Sequence, residues 1–152
     1  MIARRTMGLA LALLLASPPV MAQGGTPQAF LEAIYRPYAT KGFKGTDYDK
    51  TERYFAPPLR EAMEKDYAEA KKRNEVPKLD GDPFIDAQDW EITNVSVSAW
   101  VTGANTAMGV ATFTNFGKPV RVTLELVSTP AGWRITEIKA PSGSLRKLFK
   151  LT

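Results

Sequence analysis

The sequence contains no cysteine and no histidine. Disulfides, cysteine nucleophiles, histidine general bases and the common zinc and haem ligand sets are therefore excluded, and Ser-His-Asp and Cys-His catalysis with them. Long apolar runs are missing too. The stretch from Met7 to Ala16 has ten residues, about half of the 20 that a bilayer core requires, so no transmembrane anchor is predicted. Charge of one sign is also scarce, with 20 Lys and Arg against 16 Asp and Glu. The basic runs are Lys71-Lys72-Arg73, which a helix dipole explains, and Arg146-Lys147 with Lys150 in the tail. Neither makes the concentrated basic face that nucleic acid calls for, so nucleic acid is not a predicted partner. What is present is a folding composition, 44% hydrophobic and 24% charged over 152 residues, enough for one cored domain.

Arg4 and Arg5 precede the apolar run, and Ser17-Pro18-Pro19 and Val20-Met21-Ala22 follow it. A charged start, a short apolar centre, a helix breaker and small residues predict a signal peptide over residues 1–22, cleaved after Ala22. No cofactor motif calls for export in the folded state, so the general secretory route fits better than the twin-arginine one. No cysteine follows to carry a lipid. The expected compartment is the bacterial periplasm or the medium. Cleavage removes two of the 20 basic residues and leaves 18 against 16 acidic ones.

In the remaining single domain, Thr26-Pro27 reads as a helix cap with proline in the first turn. Phe30, Leu31, Ile34, Tyr35 and Tyr38 form one apolar face, and Gly42 ends the pattern after Lys41. A short amphipathic piece ends at Tyr54-Phe55 before Pro57-Pro58. A longer helix follows over residues 58–74, with Leu59, Met63, Tyr67 and Ala70 inward and a charged outer face. From Glu75 to Asp89 turn residues dominate, which predicts a long ordered loop pinned by Leu79, Phe84 and Ile85. Beyond it, alternation predicts four strands, at about 90–101, 106–115, 119–128 and 133–140. Phase shifts between Ile92 and Val95 and between Ile135 and Ile138 predict bulges. Short connections predict an antiparallel meander, and helices before strands predict the α+β class.

Phe30-Leu31-x-x-Ile34-Tyr35-x-x-Tyr38, Phe55 with Leu59-Arg60, Leu79-Asp80-Gly81-Asp82-Pro83-Phe84 running into Ala87-Gln88-Asp89-Trp90, and Gly132-Trp133-Arg134-Ile135 together resemble the DUF3828 family of bacterial envelope proteins. The resemblance covers about residues 27–140, and its most specific part is the Asp-x-Asp-Pro stretch. It implies a nuclear-transport-factor-2-like (NTF2-like) cone, in which N-terminal helices pack on a curved four-stranded antiparallel sheet. It implies an envelope location and no particular reaction.

Asp80, Asp82, Asp86 and Asp89, with Gln88 and Trp90, are the weak candidates for a ligand- or partner-binding loop. Oxygen ligands at such spacing suit Ca²⁺, but the EF-hand glycine and terminal glutamate are absent, so no metal site is assigned. Turn chemistry explains the same aspartates structurally. Tyr35, Tyr38 and Tyr67 complete the candidate set. With Asp66 they would serve an enzyme that used Asp and Tyr acid-base chemistry in a cone cavity. Helical spacing of aromatics is also the pattern of plain core. No catalytic residue and no cofactor is assigned. Trp100, near a strand end, would anchor a protein contact if exposed. The tail from Ser144 to Leu151 alternates basic and apolar residues and either docks back on the domain or touches anionic lipid.

The functional reading is a periplasmic, non-enzymatic binding or accessory module contacting an envelope protein or a small ligand in the cone. A small enzyme and an inhibitor or immunity protein are the alternatives, and a homodimer through the sheet is a further partner. N-terminal sequencing of the protein recovered from the periplasm of an expressing bacterium should begin at Gln23. A recovered chain that retains Met1 overturns the export reading.

Overall fold

The computed structural model describes residues 25–152. The predicted signal peptide and its cleavage after Ala22 lie outside the described residues. Helix α1 is Pro27–Tyr35, and the Thr26 hydroxyl caps it by accepting from the Ala29 N–H at 3.1 Å. The sequence pattern predicts a helix running on to Lys41. Instead α1 stops at Tyr35 and tightens into a 3-10 turn over Arg36–Ala39, because Pro37 has no N–H for the next intrahelical bond. Tyr38 is buried all the same. Helix α2 is Thr51–Tyr54 and α3 is Leu59–Arg73. Asn74, in the left-handed region at φ 54°, closes α3, and Lys71, Lys72 and Arg73 lie in its last turn, where cations suit the dipole.

Strands β1 Ile92–Val101, β2 Thr106–Asn115, β3 Lys118–Thr129 and β4 Gly132–Ala140 follow. The two-residue β5, Gly143–Ser144, pairs with the end of β4, and helix α4, Leu145–Leu148, comes last. Sheet order is β1-β2-β3-β4-β5 with antiparallel pairing throughout. The chain is therefore α+β, with five strands rather than the four expected. The fifth arises because the Pro141-Ser142-Gly143 turn folds the tail back along β4, with Gly143 at φ 136°.

Both predicted bulges are present. The β1–β2 register slips between Thr93 and Ser96, where Asn94 sits at φ 54°. Between β3 and β4, Glu125 faces Glu137 while Leu126 faces Ile135. Thr136 is thus the extra residue, and Ile135 and Ile138 both enter the core despite their odd spacing. Over this face lie Leu31, Ile34 and Tyr35 of α1, with Leu59 and Met63 of α3 also in the core. Gly109 on β2 sets how closely α1 approaches. A β-carbon there would lie 2.1 Å from Leu31 Cδ1.

Side chains and short segments occupy both sheet edges. On β1, the Gln28 amide donates to the Val97 carbonyl at 2.9 Å and accepts from the Ala99 N–H at 2.7 Å. On β4, the Ala56 N–H reaches the Ile135 carbonyl at 2.9 Å and Arg134 folds back on the Trp133 carbonyl at 2.7 Å. The Glu137 carboxylate accepts from the Ile138 N–H at 2.9 Å. Among the described residues no helix is long and apolar enough to cross a membrane.

Gly109→Ala should destabilise the fold by about 1–3 kcal/mol through overpacking, read by urea unfolding. Pairing it with Leu31→Ala should make the two losses clearly less than additive. Additive losses would show that Gly109 does not set the helix–sheet spacing.

Candidate functional site

The loop between α3 and β1 is anchored at its start by Asp66. This carboxylate accepts from the Lys78 N–H at 2.7 Å and pairs with the Lys78 ammonium at 3.7 Å. Asp66 therefore holds the start of the loop. Further on, the Asp82 N–H reaches the Ala87 carbonyl at 2.9 Å, closing a turn that drives Phe84 and Ile85 into the core. Phe84 stacks on Phe55 with centroids 5.9 Å apart and meets Tyr35 and Tyr54 edge-on. The pinning expected of Phe84 and Ile85 follows from this turn.

The side chain of Asp82 is 5% exposed. It accepts the Phe84 N–H at 2.9 Å and a short hydrogen bond from the Tyr38 hydroxyl. Thr46 supplies an N–H to the same hydroxyl at 3.4 Å. Burial pushes the Asp82 carboxyl above its ordinary pKa, and the Tyr38 and backbone hydrogen bonds pull it part of the way back. Burial, then the charge of Asp82, holds the Tyr38 hydroxyl well above its usual value. Tyr35 is core rather than cavity wall, packed against Tyr38, Phe84 and Phe113, and its hydroxyl has no hydrogen-bond partner among the described residues. The same holds for the buried hydroxyl of Tyr67. Trp90 packs edge-on against Tyr38 at 5.9 Å.

The other loop aspartates are dispersed. Asp86, in the left-handed region at φ 56°, accepts the Ser142 N–H at 2.9 Å and a short bond from the Ser142 hydroxyl. Asp80, Gln88 and Asp89 are exposed, and the Gln88 amide donates to the Asp80 carbonyl at 3.2 Å. Among the described residues no group of three acidic side chains is placed to hold a metal ion.

Glu137 of β4, with Ser142 and Ser144 of the tail, completes this region, and neither Glu137 nor Ser142 is singled out by the sequence pattern. Glu137, 4% exposed, accepts from the Ser144 hydroxyl at 2.5 Å and the Arg146 N–H at 3.1 Å, in addition to Ile138. Ser144 caps α4 by accepting from the Lys147 N–H at 3.2 Å. With Leu145 and Phe149 in the core, the tail docks on the domain, the first of its two expected roles. Ser142 was hidden because its partner lies 56 positions away; the Ser-Gly-Ser turn was the available signal.

Loop and tail face each other across a cleft of about 480 Å³, floored by Ile138, Ala140 and Leu145 and walled by Leu79, Asp86 and Gln88. The Asp86–Ser142 bonds join the two walls. On the other side of the same loop lies a depression of about 310 Å³, lined by Gly45, Tyr48, Asp80, Asp82 and Trp90, with Lys44 among its lining residues. Away from both, Trp100 is 47% exposed. It pairs across the strands with Met108, which in turn faces Glu125.

No protein-family model matches the chain, and no curated protein matches it. Among solved structures there is a likeness to a phospholipid-binding protein of Ralstonia solanacearum determined in complex with a phospholipid. The identity is 13% and the TM-score 0.34, over 78% of this chain and 58% of that one. The chain thus spans less than two thirds of that protein's length. Similarity of this size leaves the chain's own geometry as the basis for its function.

Tyr38→Phe removes one of the hydrogen bonds to a buried carboxyl and should cost about 1–3 kcal/mol, read by urea unfolding at neutral pH. The raised pKa of Asp82 means that folding favours its protonated form. That contribution is complete below the unfolded carboxyl's pKa of about 3.9 and is lost as pH rises through the folded value. Between pH 4 and 7 the wild type should therefore lose stability relative to Asp82→Asn. A difference that stays constant over that range overturns the raised pKa.

Proposed function

We propose that the chain is an exported, non-enzymatic binding or accessory module of the bacterial envelope, and that the loop–tail cleft is its contact surface. The observation that carries this reading is the build of the cleft. Two segments remote in sequence form its walls, and each is fixed by a buried carboxylate, Asp82 in the loop and Glu137 beneath the tail. A binding surface needs such pre-organisation, because ordering a wall on binding costs affinity. Both Asp82 oxygens are already engaged by Tyr38 and Phe84, which favours a structural carboxylate over a general base.

Membership of the DUF3828 family and an NTF2-like cone belong to the same proposal. Their support is that the motif stretch Asp80-Gly81-Asp82-Pro83 supplies the loop wall, and that N-terminal helices pack on a bulged antiparallel meander. The periplasmic location rests on the leader pattern of residues 1–22. A second contact, a homodimer through the sheet, is favoured by the exposure of Trp100 beside Met108. An inhibitor or immunity protein would use the same cleft against an exported enzyme.

A photoreactive residue at Gln88, on the cleft wall, should trap one envelope protein reproducibly in intact cells. The same residue at Thr93, on the opposite edge of the sheet, should not. Equal capture from both positions, or none from Gln88, overturns the cleft as the contact surface. Loss of an enzymatic activity of the trapped protein in the complex would identify the inhibitor case.

A further inference from the structure

The depression behind the loop shares Asp80, Gly81, Asp82 and Gln88 with the cleft wall but has a chemistry of its own, which requires no envelope partner. Asp82 reaches it from beneath with no cationic partner among the described residues. The groups that bond it are a phenol hydroxyl and a backbone N–H, both neutral. Asp80 adds a second, exposed carboxylate. The Trp90 indole and the Tyr48 ring supply aromatic wall. Gly45, at φ 98°, keeps the space between these groups clear. A β-carbon there would stand 3.0 Å from Trp90 Cη2 and 3.8 Å from Asp82 Oδ2.

Two buried hydroxyls, those of Tyr35 and Tyr67, have no hydrogen-bond partner among the described residues. Tyr35 is 1% exposed, and after burial the causes that raise its pKa are the Tyr38 and Asp82 charges. Tyr48 is pushed up first by burial and then by Asp82, Asp49 and Asp80. Burial leads both shifts, and the neighbouring Asp82 carboxylate adds to each. Lys44 is the one basic residue of the lining and is exposed.

We propose that this depression binds a small organic ammonium group, seated against the Trp90 indole and held by Asp80 and the underlying Asp82. An aromatic face and a carboxylate act on such a cation together, the ring through its quadrupole and the carboxylate through its charge. A volume of about 310 Å³ is at the small end of ligand sites. A hard metal ion fits less well, because it would want several converging oxygens rather than an indole face.

The probe is tetramethylammonium chloride, titrated into the mature protein at constant ionic strength and followed by the assigned Trp90 indole resonance. A saturable shift of that resonance is expected. Asp80→Asn disturbs no buried group and should weaken binding about threefold or more. Lys44→Ala, which removes a like charge, should tighten it. A linear shift without saturation overturns the proposal, as does an affinity unchanged by both Asp80→Asn and Lys44→Ala. Calcium chloride in place of the ammonium salt is the remaining arm, and a saturable response to calcium at lower concentration than to tetramethylammonium would make this an inorganic cation site and equally overturn it. Gln88 lines both hollows, so the cleft is checked separately by a photoreactive residue at Leu148, which lines the cleft and not the depression; failure here leaves capture from Leu148 untouched.

Discussion

The loop exists in its present shape because a carboxylate has been taken out of water. Burying an ionisable group without hydrogen bonds costs several kcal/mol, so Asp82 is tolerated only while its donors stay in place. Those donors lie far apart in the chain. Tyr38 comes from the 3-10 turn after α1, and Thr46 joins through the Tyr38 hydroxyl. Phe84 comes from the loop itself. One side chain thereby locks the end of a helix, the following polar segment and the loop against one another. Because the same loop walls a hollow on each side, a change at Asp82 alters both.

A second carboxylate follows the same rule at the other end of the chain. The extra residue Thr136 shifts the phase of β4, and Glu137 then accepts from Ile138, Ser144 and Arg146. A bulge read from sequence as a bend in the sheet thus also positions the acceptor that starts α4. Ordinary surface pairs such as Lys50–Asp47 or Arg73–Glu69 are worth a fraction of this, since water competes for them and their geometry is loose.

Local chemistry was legible in the sequence, and distant pairing was not. The Thr26 cap, the end of α3 and both bulges follow from neighbours within a few positions, where propensity and side-chain period act directly. The apolar stripe extends past Pro37, where the α-helix does not. The stripe was right about the face, since Tyr38 is buried, and wrong about the backbone that carries it. The aspartates were legible as a group but not as individuals. The local turn sequence does not show that Asp82 finds Tyr38 while Asp80 stays exposed. Pairs 44 and 56 positions apart depend on the assembled fold, and β5 depends on a turn too short to show a period.

The Gln28 amide lies against β1 as a neighbouring strand would, giving one hydrogen bond and taking another. On β4, Arg134, Glu137, Ala56 and β5 play the corresponding part. An edge so occupied gives an incoming peptide few free rungs, and open rungs are where sheets grow from one molecule into the next. Among the described residues these contacts disfavour edge-to-edge pairing, the mode that propagates.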